Sequence, residues 1–174
     1  MSDQPTTRRH PNIINVREAK ELAMSKGSRF AFSGRILGEA TGASGIGASH
    51  YEVPPGRTAF PSHYHCANEE SMYVLEGEGS LRIGEATIAV GAGDYVTFPV
   101  GPAHAHQITN TGTGPLRYLA LSTKHNVDVV GYPDSKKFSA GASAPGSKFG
   151  DPGWVRMRVR PEAMLDYYDG ETID

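Results

Sequence analysis

From about residue 29 to residue 124 the chain is written in short apolar runs broken by glycine-rich turns. Leu81-Arg82-Ile83 and Thr87-Ile88-Ala89-Val90 flank Gly84-Glu85, a natural two-residue hairpin turn. Tyr95-Val96-Thr97-Phe98 follows the turn Gly91-Ala92-Gly93-Asp94. Ile108-Thr109 and Leu116 to Leu121 flank the turn-forming stretch 110–115. Strands at this spacing predict a sandwich or barrel. No strong helical pattern interrupts them, which argues against a parallel βαβ sheet.

The ends read differently. Residues 1–14 carry no periodic pattern and are expected to be a loose arm. Asn15 can cap a helix and Glu18 can reach back to the cap amide, while Val16, Ala19, Leu22 and Ala23 make one stripe. This predicts a short helix over about 16–26, stopped at Gly27. Residues 138–153 are rich in small side chains and predict a loop or linker. Val155, Met157 and Val159 then alternate with Arg156, Arg158 and Arg160, as in a half-buried edge strand with a basic outer face. The strand could instead pack on a partner subunit. The expected organisation is an N-terminal arm with a short helix (1–28), a barrel (29–124) and a C-terminal extension of loop plus edge strand (125–174).

Composition narrows the classes. The 174 residues suit one domain with a real core, and the net charge of −2 gives no basic excess for a nucleic-acid face. No apolar run approaches a membrane span, and the N-terminus lacks the build of a secretory signal. The single cysteine, Cys66, rules out an internal disulfide framework. Together these predict a cytoplasmic protein with no nucleic-acid or membrane partner. The 21 glycines and 12 prolines agree with many tight turns. Neither a dinucleotide glycine fingerprint, nor a P-loop, nor a Gly-x-Ser-x-Gly elbow is present.

The candidate chemistry lies between Gly56 and Gly77. On a strand His63 and His65 face the same side with Cα atoms roughly 7 Å apart, so two imidazoles can converge on one ion. Glu70 opens the next apolar run and can add a carboxylate. Such donors suit one divalent ion of iron, manganese, nickel or zinc. Gly56, six residues, His63-Tyr64-His65, four residues, Glu70, six residues, Gly77 resembles the first motif of the cupin superfamily, with four spacings matched at once. Glu69 also fits a looser spacing, but only Glu70 keeps six residues before Gly77.

The second cupin motif is split over two histidines. Gly93, five residues, Pro99-Val100-Gly101, two residues, His104 matches its front half, whereas His106, three residues, Asn110 matches its back half. The two imidazoles are expected on one face of one strand. The turn after Asn110 fixes register, so His106 is the preferred fourth ligand and His104 the alternative. The one left over would sit in the pocket or pack as a hydrogen-bonded histidine. Asn68-Glu69-Glu70, Tyr73 to Gly77, Asp128-Val129-Val130 and the late Asp166 to Glu171 further resemble a group of small stand-alone bacterial cupins.

The resemblance implies an all-β double-stranded β-helix, the cupin jelly-roll barrel, usually assembled as an isologous homodimer. It implies a metal-binding protein, expected to be a small metalloenzyme of isomerase, lyase or dioxygenase type acting on a small polar substrate. The alternative is a non-catalytic small-molecule-binding or sensor module, although no helix-turn-helix is recognisable. Tyr51 and Tyr73 are candidate substrate-pocket residues. Tyr64 should point away from the metal, and His50 reads as a surface residue or one at the barrel mouth.

Overall fold

The structure is a computed structural model and describes residues 10–144 and 152–172. Its first elements are strands β1 (Glu21–Lys26) and β2 (Phe30–Ile36), a four-residue helix α1 (Leu37–Ala40), and strands β3 (Ile46–Val53) and β4 (Tyr64–His65). Strands β5 (Glu70–Glu76), β6 (Glu78–Ile83), β7 (Ala86–Gly91), β8 (Tyr95–Phe98) and β9 (His106–Asn110) come next. The last four are β10 (Leu116–Thr123), β11 (Val127–Tyr132), β12 (Lys137–Ala142) and β13 (Val155–Val159). One layer has the order β1-β2-β3-β10-β5-β8. The other is built from β13-β12-β11-β4 and β7-β6-β9, joined where His63 bridges His106. Two antiparallel layers wound round one core make the double-stranded β-helix.

Alternation explains the layers. Met72 and Val74 on β5, Val53 on β3 and Leu116 and Tyr118 on β10 point inward and meet Leu81 and Ile108 of the opposite layer. The hairpin at Gly84 forms as predicted, with Ile83 paired to Ala86 and a positive φ of 54° at Gly84. Asn110, fully buried, pins the β9–β10 turn to the end of β3. Its amide donates to Val53 O at 2.7 Å and Gly114 O at 2.8 Å, and its carbonyl accepts from Gly112 N at 2.9 Å. Asn110→Ala takes a partner from the buried Val53 O, at about 1–3 kcal/mol before relaxation, and removes two part-buried bonds to Gly114 O and Gly112 N. A loss of at least about 2 kcal/mol in a denaturant melt is therefore expected.

Two predicted elements are corrected. The helix expected over 16–26 is absent. Asn15 and Glu18 do make the reciprocal cap, with Arg17 N donating to Asn15 Oδ1 and Asn15 N to Glu18 Oε2, but it closes a single turn. The chain then runs as β1, because Leu22 and Met24 meet Gly34 and Phe32 across the hairpin while the backbone pairs with β2. The period-2 pair wins because it gains a whole ladder of hydrogen bonds and a core contact, whereas a short isolated helix is marginal. Gly27, at φ 58°, turns this hairpin rather than ending a helix. The loop expected over 138–153 is strand β12 as far as Ala142, and 145–151 lie outside the described residues.

The strand with the alternating arginines is present as β13, at the edge of its sheet. It is not half-buried, because all five of its residues are exposed.

Candidate metal centre

Three of the predicted ligands arrive from one layer and the fourth from the other. His63 and His65 stand either side of Tyr64 at β4, and His106 opens β9, which the His63–His106 bridge holds beside them. Glu70 opens β5 in the facing layer. Its Oε2 lies 3.2 Å from His106 Nε2, 3.4 Å from His65 Nε2 and 3.6 Å from His63 Nε2. Glu69 is exposed; its backbone N–H donates to Thr123 Oγ1 and its carbonyl accepts from Thr123 N.

The other nitrogen of each ring is tied down. His63 Nδ1 faces Pro61 O at 2.9 Å, His65 Nδ1 faces Asp128 Oδ2 at 2.5 Å and His106 Nδ1 faces His104 O at 3.1 Å. A carbonyl or carboxylate partner engages Nδ1 in each ring, which leaves Nε2 as the atom turned toward Glu70. Two donors each about 2.1 Å from one ion stand roughly 3.0–3.4 Å apart. The spacings round Glu70 Oε2 approach that range, so the donor set fits a divalent ion. Donor atoms of His63, Glu70 and His106 lie within 4.8 Å of one another; His65 stands outside that group and approaches it through Glu70 Oε2, 3.4 Å from its Nε2.

Electrostatics couple the four groups. Burial pushes the Glu70 carboxyl up, but hydrogen bonds from His106 and His63 and the nearby imidazoles outweigh it and hold the group far below its usual range. For His63 burial works downward, yet the Glu70 carboxylate prevails and the net shift is upward. His106 stays lowered, chiefly by burial. Phe98 stacks on the His106 ring, centroids 3.7 Å apart, and shields it from water.

His104 is corrected. It closes a short turn at Pro102–His104 before β9 begins, so the two histidines do not share a strand. Its backbone carbonyl orients His106, and its ring is not in the donor cluster. Tyr73 is corrected as well. It alternates with Met72 and Val74 on β5 and is 41% exposed on the outer face, whereas Tyr51 lines the cavity beside the cluster. His50 is next to Tyr51 on β3, so it points to the opposite face, where burial and Arg35 lower its pKa.

Asp128 was not singled out as a site residue by sequence. It reaches His65 from β11, and its carboxylate also takes Asn68 Nδ2 at 2.8 Å and Ala67 N at 2.9 Å. Burial raises its pKa, but these bonds, His65 first, bring it below the ordinary value. Its only sequence signal was the Asp128-Val129-Val130 stretch, 62 residues beyond Cys66, whose N–H it also binds. Nothing in spacing alone brings such distant positions together.

Known proteins resemble this chain in sequence and fold. Residues 49–122 match the family described as Cupin domain. The match covers less than half of the chain, and the double-stranded β-helix is the fold it shares with similar solved structures. A structure from Acidithiobacillus ferrooxidans, provisionally named a sugar phosphate isomerase, is similar at TM-score 0.69 and 26% identity, covering 84% of this chain and 92% of that one. A sugar phosphate isomerase from Silicibacter pomeroyi shares the fold at TM-score 0.70 and 21% identity, covering 93% and 96%. A predicted oxalate decarboxylase of Thermotoga maritima matches at 0.57 and 25%, covering 65% and 99%. An uncharacterized protein of Methanocaldococcus jannaschii is 37% identical over 60 residues, 34% of this chain, and the match spans about half (46%) of that relative. No helix among the described residues is long and apolar enough to cross a membrane.

Proposed function

We propose that His63, His65, Glu70 and His106 hold one divalent metal ion, and that the loaded centre is a small metalloenzyme of isomerase, lyase or dioxygenase type. The observation that carries this reading is the common orientation of the three imidazoles. Each has its Nδ1 committed to an acceptor and its Nε2 turned to the Glu70 carboxylate. A divalent ion there would supply Lewis acidity to a substrate carbonyl or enediolate, or dioxygen chemistry if it were iron.

The chain's own groups complete the site. The Tyr51 hydroxyl lines the cavity, and burial raises its pKa against the opposing pull of Ser49, so it keeps its proton at neutral pH. It is thus a hydrogen-bond donor to a substrate oxygen rather than a base. Asp128 holds the His65 tautomer and orientation. Asp128→Asn is expected to weaken metal affinity about 10- to 100-fold, measured by chelator competition, since such supporting partners carry that much.

The deciding experiment is elemental analysis of protein purified without a nickel column. One iron, manganese, nickel or zinc per chain is expected, and none in folded His63→Ala. A metal-free wild type that stays empty on reconstitution would overturn the reading. Tight ligand binding by loaded protein with no turnover across keto acids, diols and dioxygen substrates would replace the enzyme by a binding module.

A further inference from the structure

We infer that the cavity beside the metal cluster selects a small ligand with oxygen donors at one end and an apolar body at the other, and that it rejects phosphorylated ligands. This rests on the metal reading above and adds the substrate class. The cavity holds about 270 Å³, at the small end of ligand pockets, which run roughly 300–1,000 Å³. His63, Glu70 and His106 form one wall. Away from them the lining is Phe60, Met72, Leu81, Phe98, Ile108 and Leu121, side chains that offer dispersion and no charge.

The remaining polar lining is neutral. It comprises the hydroxyls of Ser49, Ser71, Ser122, Tyr51 and Tyr118 and the amide of Gln107. Among the described residues, no Lys or Arg lines the cavity. The exposed Arg29 touches this region only by donating to Gln107 Oε1, whose Nε2 is spent on Phe60 O. A phosphate ester brings close to two negative charges, and burying them without a guanidinium, an ammonium or a nest of N–H groups is costly. Glu70 adds a further negative charge to the same wall. A 2-oxo acid, with a single negative charge, or a neutral β-diketone, each with a short aliphatic or aromatic body, incurs less of that penalty. Its oxygens meet the metal end and its body fills the apolar part. The preference departs from the sugar phosphate chemistry in the names of two similar structures.

The test is calorimetry on metal-loaded protein with four probes: acetylacetone, 4-methyl-2-oxopentanoate, ribose 5-phosphate and inorganic phosphate. The first two are expected to bind at least tenfold tighter than the last two. Ala120→Leu, which fills the cavity from β10, should weaken the first pair at least tenfold and leave metal content unchanged. Phosphorylated probes that bind as tightly as the apolar chelators would overturn the inference, and so would unaltered chelator affinity in a folded Ala120→Leu. Failure of the metal reading shows separately, as no metal in the wild type. The same probe order is then read by ligand-observed NMR on the metal-free protein, where a reversed order again overturns the inference.

Discussion

Glu70→Gln is expected to lower metal affinity more than about 100-fold, beyond the 10- to 100-fold typical of supporting residues, while the barrel stays folded. Glu70 is the one donor from the β5 layer, and its Oε2 is the atom on which all three Nε2 groups converge. The amide keeps the shape and removes the charge that offsets a dication. Chelator competition reads the affinity and circular dichroism the fold, and an affinity within tenfold of wild type would remove Glu70 from the ligand set.

The pH dependence has a definite sign. Glu70 is depressed in the fold, so its contribution to metal-free stability is present above the ordinary carboxyl range and lost as pH falls through its folded value. His63 is raised, so its contribution is present below about 6.5 and lost as pH climbs through its folded value. The ion competes with the proton on His63, and metal affinity should therefore fall as pH drops from 8 to 5.5, by up to about tenfold per unit. A flat profile would mean that His63 is not a ligand. In Glu70→Gln the upward pull on His63 disappears, and the acid limb should move to lower pH.

The second large effect belongs to the core. Leu116→Ala is expected to cost about 3–4 kcal/mol and lower Tm by roughly 10 °C. Leu116 is fully buried on β10, is paired with Val53 on β3 and fills the space that a side chain at Gly79 of β6 would need. It thereby ties the two layers together, and a cavity there cannot be closed by one layer moving alone. Metal content should be unaffected, because β4, β5 and β9 keep their register. A loss below about 1 kcal/mol would show that the layers collapse onto the gap.

The misread elements share a cause. The cap at Asn15 and Glu18 is a true local signal, and it forms, but its reach is one turn. The conformation of residues 21–26 is settled by the unpaired edge of β2, which lies beyond any local window. The loop expected at 138–142 became β12 for the same reason: Ser139, Ala140 and Gly141 have weak strand preference but sit between two partners that satisfy their backbone. His104 was placed on a strand by counting, whereas Pro102 and the positive φ of Gly101 turn the chain before β9 starts.

By itself the sequence determined the all-β class, the hairpin at Gly84, the pairing of His63 and His65 with Glu70, and the preference for His106 through its spacing to Asn110. These are properties of period 2 and of fixed short separations, which travel with the chain wherever it folds. Only the tertiary structure decided that Asp128 fixes His65, that Tyr51 faces the cavity while Tyr73 faces away, and that the cavity lining beyond the histidine–glutamate cluster is neutral. Each of those depends on strands distant in sequence lying side by side, and the energy that selects the arrangement, the burial of both inner faces against one another, is a property of the closed barrel and of no segment within it.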